Sequence, residues 1–124
     1  MKLITEEIKT KLASNKGDAN VDKPYLKLFN PTGEGTWLIT EMIDEDTLFG
    51  LCDLGMGFPE LGYVSLQELE SVELPFGLKI ERDMFFTPDK TLSEYTELAM
   101  QHQRIVMNES TDPVINMMNI LADD

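Results

Sequence analysis

Apolar residues recur at Ile4, Ile8 and Leu12, the period of one helix face. Thr5 is a cap residue, and Glu6 and Glu7 suit a first turn, so the spacing predicts a helix over 4–14. Asn15-Lys16-Gly17-Asp18 ends it. The pattern then changes to β-branched and aromatic types at 25–30 and 36–43, separated by the breaker-rich Pro31-Thr32-Gly33-Glu34-Gly35. Asp44-Glu45-Asp46 reads as a loop tip before a third strand at 47–54. Short connections make these three an antiparallel meander. Residues 55–62 read as an irregular glycine-rich loop. Ser65 and Glu68 then have capping-box spacing, with Val64 and Leu69 placed as a hydrophobic staple, so a short helix runs to about Val72. Pro75-Phe76-Gly77 breaks it, and 78–85 reads as a fourth strand. Thr91 and Glu94 open a long helix whose apolar stripe is Tyr95, Leu98, Ala99, His102, Ile105 and Val106. Asp112 and Pro113 open a last helix carrying Val114, Ile115, Met117, Met118 and Leu121. The expected fold is a single α+β domain over 1–124. It has a four-stranded, mostly antiparallel sheet with helices packed on one face. Its core lies at about 3–100, with a C-terminal helical extension at about 101–124.

Composition narrows the function classes. The chain has 124 residues, 42% of them apolar, so one core is affordable and disorder is not expected. The formal charge is −13. It is uneven: residues 1–40 hold six Lys against five Asp/Glu, net +1, and residues 41–124 hold four Lys/Arg against 18 Asp/Glu, net −14. Such a field repels phosphate backbones and favours basic partners, cations or plain solubility. No apolar run approaches the ~20 residues of a membrane span. The start lacks the apolar region of a signal peptide, which makes the cytoplasm the expected location. A single cysteine, Cys52, leaves no internal disulfide and no multi-cysteine zinc site.

Candidate chemistry is sparse. The glycine-rich loop at 55–62 is flanked by Asp53 and Glu60 and followed by no Lys, which is wrong for cradling phosphate. On an extended 78–85, Arg82 shares the more apolar face with Leu78, Ile80 and Met84. It needs a carboxylate, and Glu41, Glu60 and Glu68 are candidates. The pair is then either a structural fastening or the floor of an anion pocket. Trp37 and Glu41 share a strand face, as do Phe49, Leu51 and Asp53. If those faces coincide, Glu41 and Asp53 make an acidic end to an apolar surface. With Glu60 and Tyr63 this is the candidate site for acid/base work or for a divalent cation. Paired carboxylates are common in so acidic a chain, and no spacing rule selects these. His102 on an apolar stripe reads as packed rather than as a base. Cys52 lies mid-strand, and no Ser sits in a nucleophile elbow. Asp44-Glu45-Asp46 lacks the glycine and later glutamate of a calcium loop and reads as a solvated turn. No catalytic residue, resident metal or cofactor is assigned.

Four segments carry a resemblance. They are Asn30-Pro31-Thr32-Gly33 with Thr36-Trp37-Leu38 and Thr40-Glu41; Phe49-Gly50-Leu51-Cys52-Asp53-Leu54-Gly55; Pro59-Glu60-Leu61-Gly62-Tyr63-Val64-Ser65-Leu66 with Glu68-Leu69-Glu70; and Gly77-Leu78 with Ile80-Glu81-Arg82-Asp83. From about Leu3 to Tyr95 the chain resembles the bacterial family called domain of unknown function 2958. The resemblance implies a small cytoplasmic protein of bacteria, often encoded on plasmids, integrating elements or phages. It brings no activity and no catalytic residues. The segment after about Gln101 departs from the family's shorter members.

Two readings of function follow. The leading one is a non-enzymatic accessory protein that binds a basic protein. Its sharper form is a DNA-mimicking factor of a mobile element, with no direct nucleic-acid or membrane binding. The rival is a small enzyme or ligand-binding module in which Trp37, Glu41, Asp53, Glu60, Tyr63 and Arg82 line one pocket. Nucleic-acid binding through Lys9, Lys11, Lys16, Lys23 and Lys27 is a third reading, opposed by the net charge. Met117, Met118 and Leu121 offer a stripe that either packs on the protein's own sheet or docks on a second copy as a homodimer.

Overall fold

The computed structural model of the protein describes residues 2–107. Helix α1 (Glu6–Ala13) starts where Thr5 Oγ1 accepts the Ile8 N–H at 3.2 Å. Strands β1 (Leu26–Phe29), β2 (Thr36–Met42) and β3 (Thr47–Asp53) form the expected meander. A fourth strand, β4 (Glu60–Ser65), follows directly, then α2 (Leu66–Ser71), a 3-10 turn (Pro75–Gly77), a two-residue β5 (Glu81–Arg82) and α3 (Leu92–His102). The sheet is antiparallel with order β4-β3-β2-β1-β5. The last expected helix, with its Met117, Met118 and Leu121 stripe, lies outside the described residues.

Among the described residues the sheet therefore has five strands rather than four. Glu60, Leu61 and Gly62 belong to a strand, although Pro59 and Gly62 are poor strand formers. The free side of β3 recruits them, pairing Cys52 with Glu60 through to Thr47 with Ser65. In the other direction, the expected strand at 78–85 shrinks to two residues. It pairs Arg82 with Leu28 and Glu81 with Phe29 of β1, and the Asp83 N–H donates to the Lys27 carbonyl just beyond. Ile80 turns into the core instead, at 6% exposure.

The helices divide between the two faces rather than gathering on one. Leu12 of α1 and Leu69 of α2 join Trp37, Ile39, Leu26, Leu28 and Leu48 in one cluster. Leu92, Tyr95 and Ala99 of α3 join Leu38 and Leu51 in another. Neighbouring strand residues point to opposite faces, so these clusters lie on opposite sides of the sheet. Both are covered, which is why β2 and β3 carry nearly continuous apolar runs.

A bulge in β2 shifts the register between Ile39 and Glu41. Ile39 pairs with Gly50 and Glu41 with Phe49, so Thr40 is the extra residue. Its carbonyl accepts the Asn15 side-chain amide at 2.8 Å, tying the loop after α1 to the sheet. That loop folds around the buried Asp22, whose carboxylate accepts the N–H groups of Lys16, Gly17 and Asp18 at 2.8–2.9 Å. The Asp22 and Ala19 carbonyls in turn accept the first N–H groups of α3, from Leu92 and Ser93.

Candidate functional site

The bulge rearranges the candidate site. Without it, Trp37 and Glu41 would share a face. With one extra residue, Glu41 turns to the α3 face opposite Phe49, while Trp37 stays in the α1-side core at 6% exposure. Glu41 does share its face with Asp53, yet the two do not meet. Glu41 pairs with Phe49, and Phe49 lies four positions, roughly 13 Å, from Asp53 along β3. Tyr63 is also on the α3 face, its ring 5.0 Å from that of Phe49, and is 68% exposed. Glu60 pairs with Cys52 on the other face. Arg82 pairs with Leu28 on β5, at the far edge, four strand spacings or roughly 19 Å from β4. The six residues lie on two faces and at opposite edges, so they do not line one pocket.

Each has a local role instead. Arg82 donates to the Lys2 carbonyl rather than to Glu41, Glu60 or Glu68, and so fastens the N-terminal segment to β5. Asp53 is 5% exposed, and its two oxygens accept the N–H groups of Gly55 and Ile105, each at 2.8 Å. It clips the segment after α3 onto the end of β3. Asp44-Glu45-Asp46 is more than a solvated turn. Asp44 accepts the Asp46 and Thr47 N–H groups and closes the β2–β3 connection. Asp46 accepts the Ser65 hydroxyl and the Gln67 N–H, both at 2.7 Å, so it caps α2 beside Ser65. His102 is half-buried at the end of α3, and Gln103 closes the helix in a left-handed conformation.

The surroundings of Cys52 and Tyr95 do not activate either group. Burial, with the nearby Glu60 carboxylate adding to it, pushes the Cys52 thiol up to about 11, so it is protonated near neutral pH and a poor nucleophile. Burial likewise pushes Tyr95 up to about 12. Its hydroxyl donates to Asp89 at 2.8 Å, while Lys90 reaches Asp89 at 3.2 Å and lies over the Tyr95 ring. The Tyr95 hydroxyl and Lys90 hold Asp89 below the usual carboxylate range. This group locks the start of α3. Among the described residues no cluster of three or more His, Cys, Asp or Glu is placed to hold a metal ion.

Folding does assemble one feature that the sequence reading missed. From Glu41 to Leu78 the chain holds nine Asp/Glu and no Lys, Arg or His. This stretch forms β3, β4 and α2, so the β4 edge of the sheet is anionic. The cations belong to other segments, before and on α1, in the loop after it, on β1, near β5 and around α3, although Lys2 and Lys9 line a hollow with Glu45 and Glu70 beside α2. Several are already paired, Lys9 with Glu6, Lys11 with Glu7 and Lys27 with Asp83. Beside the acidic edge, a largely apolar groove of about 470 Å³ runs between β4 and α3, lined by Leu61, Ser93, Thr96, Glu97, Met100 and Gln101. The cation-free run was visible in the sequence. The groove was not, because it needs β4 to be a strand.

A family model for "protein of unknown function (DUF2958)" matches residues 3–106. The chain belongs to the DUF2958 family. Comparisons with curated proteins and with solved structures found no match. The match covers all of the sheet and α3, so both the acidic edge and the groove fall within the DUF2958 region. Among the described residues of this DUF2958 protein, no helix is long and apolar enough to cross a membrane.

Proposed function

We propose that this DUF2958 protein is a non-enzymatic accessory protein that binds a basic protein through its acidic β3–β4–α2 side. One observation carries the reading: the stretch from Glu41 to Leu78, which forms β3, β4 and α2, holds nine carboxylates and no cation, with Lys2 and Lys9 reaching its Glu45 and Glu70 side. At physiological salt the Debye length is about 8 Å, so charges this concentrated act together on an approaching partner. Such a field speeds encounter with a cationic surface and repels nucleic acid. The scatter of Glu41, Asp53, Glu60, Tyr63 and Arg82 over two faces removes the geometric support for the rival pocket. The ion pairs of Lys9, Lys11 and Lys27 weaken the case for nucleic-acid binding through residues 1–40.

The finer form of the proposal places the protein in the bacterial cytoplasm. There it acts as a factor of a mobile element whose acidic side imitates DNA toward a DNA-binding protein. The test is competition: a basic DNA-binding protein held on labelled duplex is titrated with this protein at low and high salt. Release at low salt that is lost at high salt is expected, together with no gel shift of free DNA. Failure of immobilised protein to retain any basic protein at low salt overturns the proposal.

A further inference from the structure

Strand β4 ends the sheet, and among the described residues no other strand pairs with its outer side. The Leu66 N–H donates to the Asp46 carbonyl directly across from it at 2.7 Å, which continues the β3–β4 register. Antiparallel pairs alternate, so the even-numbered residues of β4 bond to β3. The backbone groups of Leu61, Tyr63 and Ser65 turn outward. Edge strands are commonly blunted by Lys, by Pro, by bulges or by being short. The opposite edge of this sheet uses the last device, since β5 has two residues. β4 uses none of them. It runs six residues in unbroken register, without Lys or Pro. On the α3 face of the same edge, Leu61 opens into the groove beneath Met100, which is 60% exposed.

We infer that an extended cationic segment of the partner protein adds to β4 as a sixth strand, seating an apolar side chain in the groove formed by Leu61, Thr96 and Met100. The inference rests on the proposed function and names its docking site. An added strand would lie about 4.8 Å outside β4, and every second side chain would point toward α3. Glu60 is exposed on the face away from α3, so Lys or Arg at the alternate positions has a carboxylate to meet. Charge selects among occupants. A second copy brings another net charge of −13 with the same acidic edge. The chain's own residues 108–124 hold four carboxylates and no cation. Both would add negative charge to a negative edge, whereas a cationic strand neutralises it.

The experiment uses the full chain and synthetic decapeptides alternating Val with Lys. The controls are the same peptide with Glu for Lys, and one N-methylated on the amides of one edge. Binding is followed by backbone and methyl NMR. The Lys peptide is expected to slow exchange of the Leu61, Tyr63 and Ser65 amides and to shift the Leu61 and Met100 methyls. N-methylation is expected to weaken it about tenfold, the size of one or two lost hydrogen bonds. Glu60→Lys should weaken it about tenfold as well. Tyr63→Pro, which removes an outward N–H, should abolish edge protection. Should that variant not fold, the N-methylated peptide asks the same question. Exchange protection of the three amides before any peptide is added overturns the inference. A concentration-dependent mass then identifies a second copy, and its absence identifies residues 108–124. Cationic peptides that bind elsewhere on the acidic side, indifferent to N-methylation, also overturn it while leaving the proposed function standing. If no cationic peptide or protein binds at low salt, both fail.

Discussion

At Gly50 the two central strands come too close for any side chain. A Cβ there would lie 1.9 Å from the Leu38 carbonyl oxygen and 2.8 Å from the Ile39 Cα, both backbone atoms that cannot move aside. The approach is a consequence of the bulge opposite, at Thr40. Gly50→Ala is expected to destabilise the fold by ~3 kcal/mol, as overpacking of a rigid site does, measured by denaturant unfolding. An unchanged midpoint would contradict the strand geometry. Cys52, on the same strand, sits half-buried with its thiol at about 11. It should resist alkylation at about pH 8 in the native protein and react fully in denaturant, as a mass measurement would show. Rapid native labelling would mean that β4 does not cover it. At Asp53 a carboxylate holds two backbone N–H groups in a nearly closed site. Asp53→Ala should cost ~2–3 kcal/mol and leave the Ile105 amide open to exchange. No change in that amide's exchange would rule out the clip.

Among the elements, helix starts are set locally. Thr91 and Glu94 form a complete capping box, each side chain bonding the other's backbone N–H. Thr91→Ala should therefore remove ~1 kcal/mol from the fold, read as a lower melting temperature, and faster exchange should be confined to the first turn of α3. At α2 the box is only half made. Ser65 accepts the Glu68 N–H, while Asp46, nineteen positions before Ser65, accepts the Ser65 hydroxyl and the Gln67 N–H. Spacing alone suggested the first of these bonds and had no access to the others. The strands show the same division. β1, β2 and β3 stand out by residue type, whereas β4 becomes a strand only because β3 has a free side.

For the whole molecule, two electrostatic effects compete as pH falls. Asp44, Asp89 and Glu94 are held below their usual values of 3.8, 3.8 and 4.5. The hydrogen bonds of the Asp46 and Thr47 backbone lower Asp44, those of Tyr95 and Lys90 lower Asp89, and those of Thr91 lower Glu94. The unfolded chain takes up protons at the usual values, while the folded protein resists until lower pH. These groups thus contribute stability above their usual values, and it is lost as pH falls through the lowered ones. Self-repulsion of a −13 chain acts the other way, easing as carboxylates protonate. The expected profile is nearly flat from neutral pH down to about 5, then falls steeply below about 4, followed by circular dichroism. At the alkaline end Tyr95 is raised from 10 to about 12, so its contribution is intact below 10 and disappears as pH climbs toward 12. Added salt should raise the melting temperature at neutral pH by screening the acidic side. A fall on adding salt would mean that favourable ion pairs outweigh the repulsion.

The chain alone settles whatever depends on neighbours a few positions away. Thr5 and Thr91 announce their helices because cap and partner lie three residues apart, and the charge imbalance is a matter of counting. It could not reveal what a single inserted residue does. One bulge at Thr40 reverses the alternation of β2 and sends Glu41 to the face opposite Trp37, while the strand order sets Glu60 and Arg82 at opposite edges. Nor could it reveal which distant groups come together: Asp53 with Ile105, Asp46 with Ser65, or Leu61 and Met100 as walls of one groove. Those pairings exist only once strands lie side by side, because backbone hydrogen bonds join whichever segments are brought opposite one another. The cation-free stretch is written in the order of residues. That it occupies an unpaired sheet edge beside an apolar groove is a product of the fold.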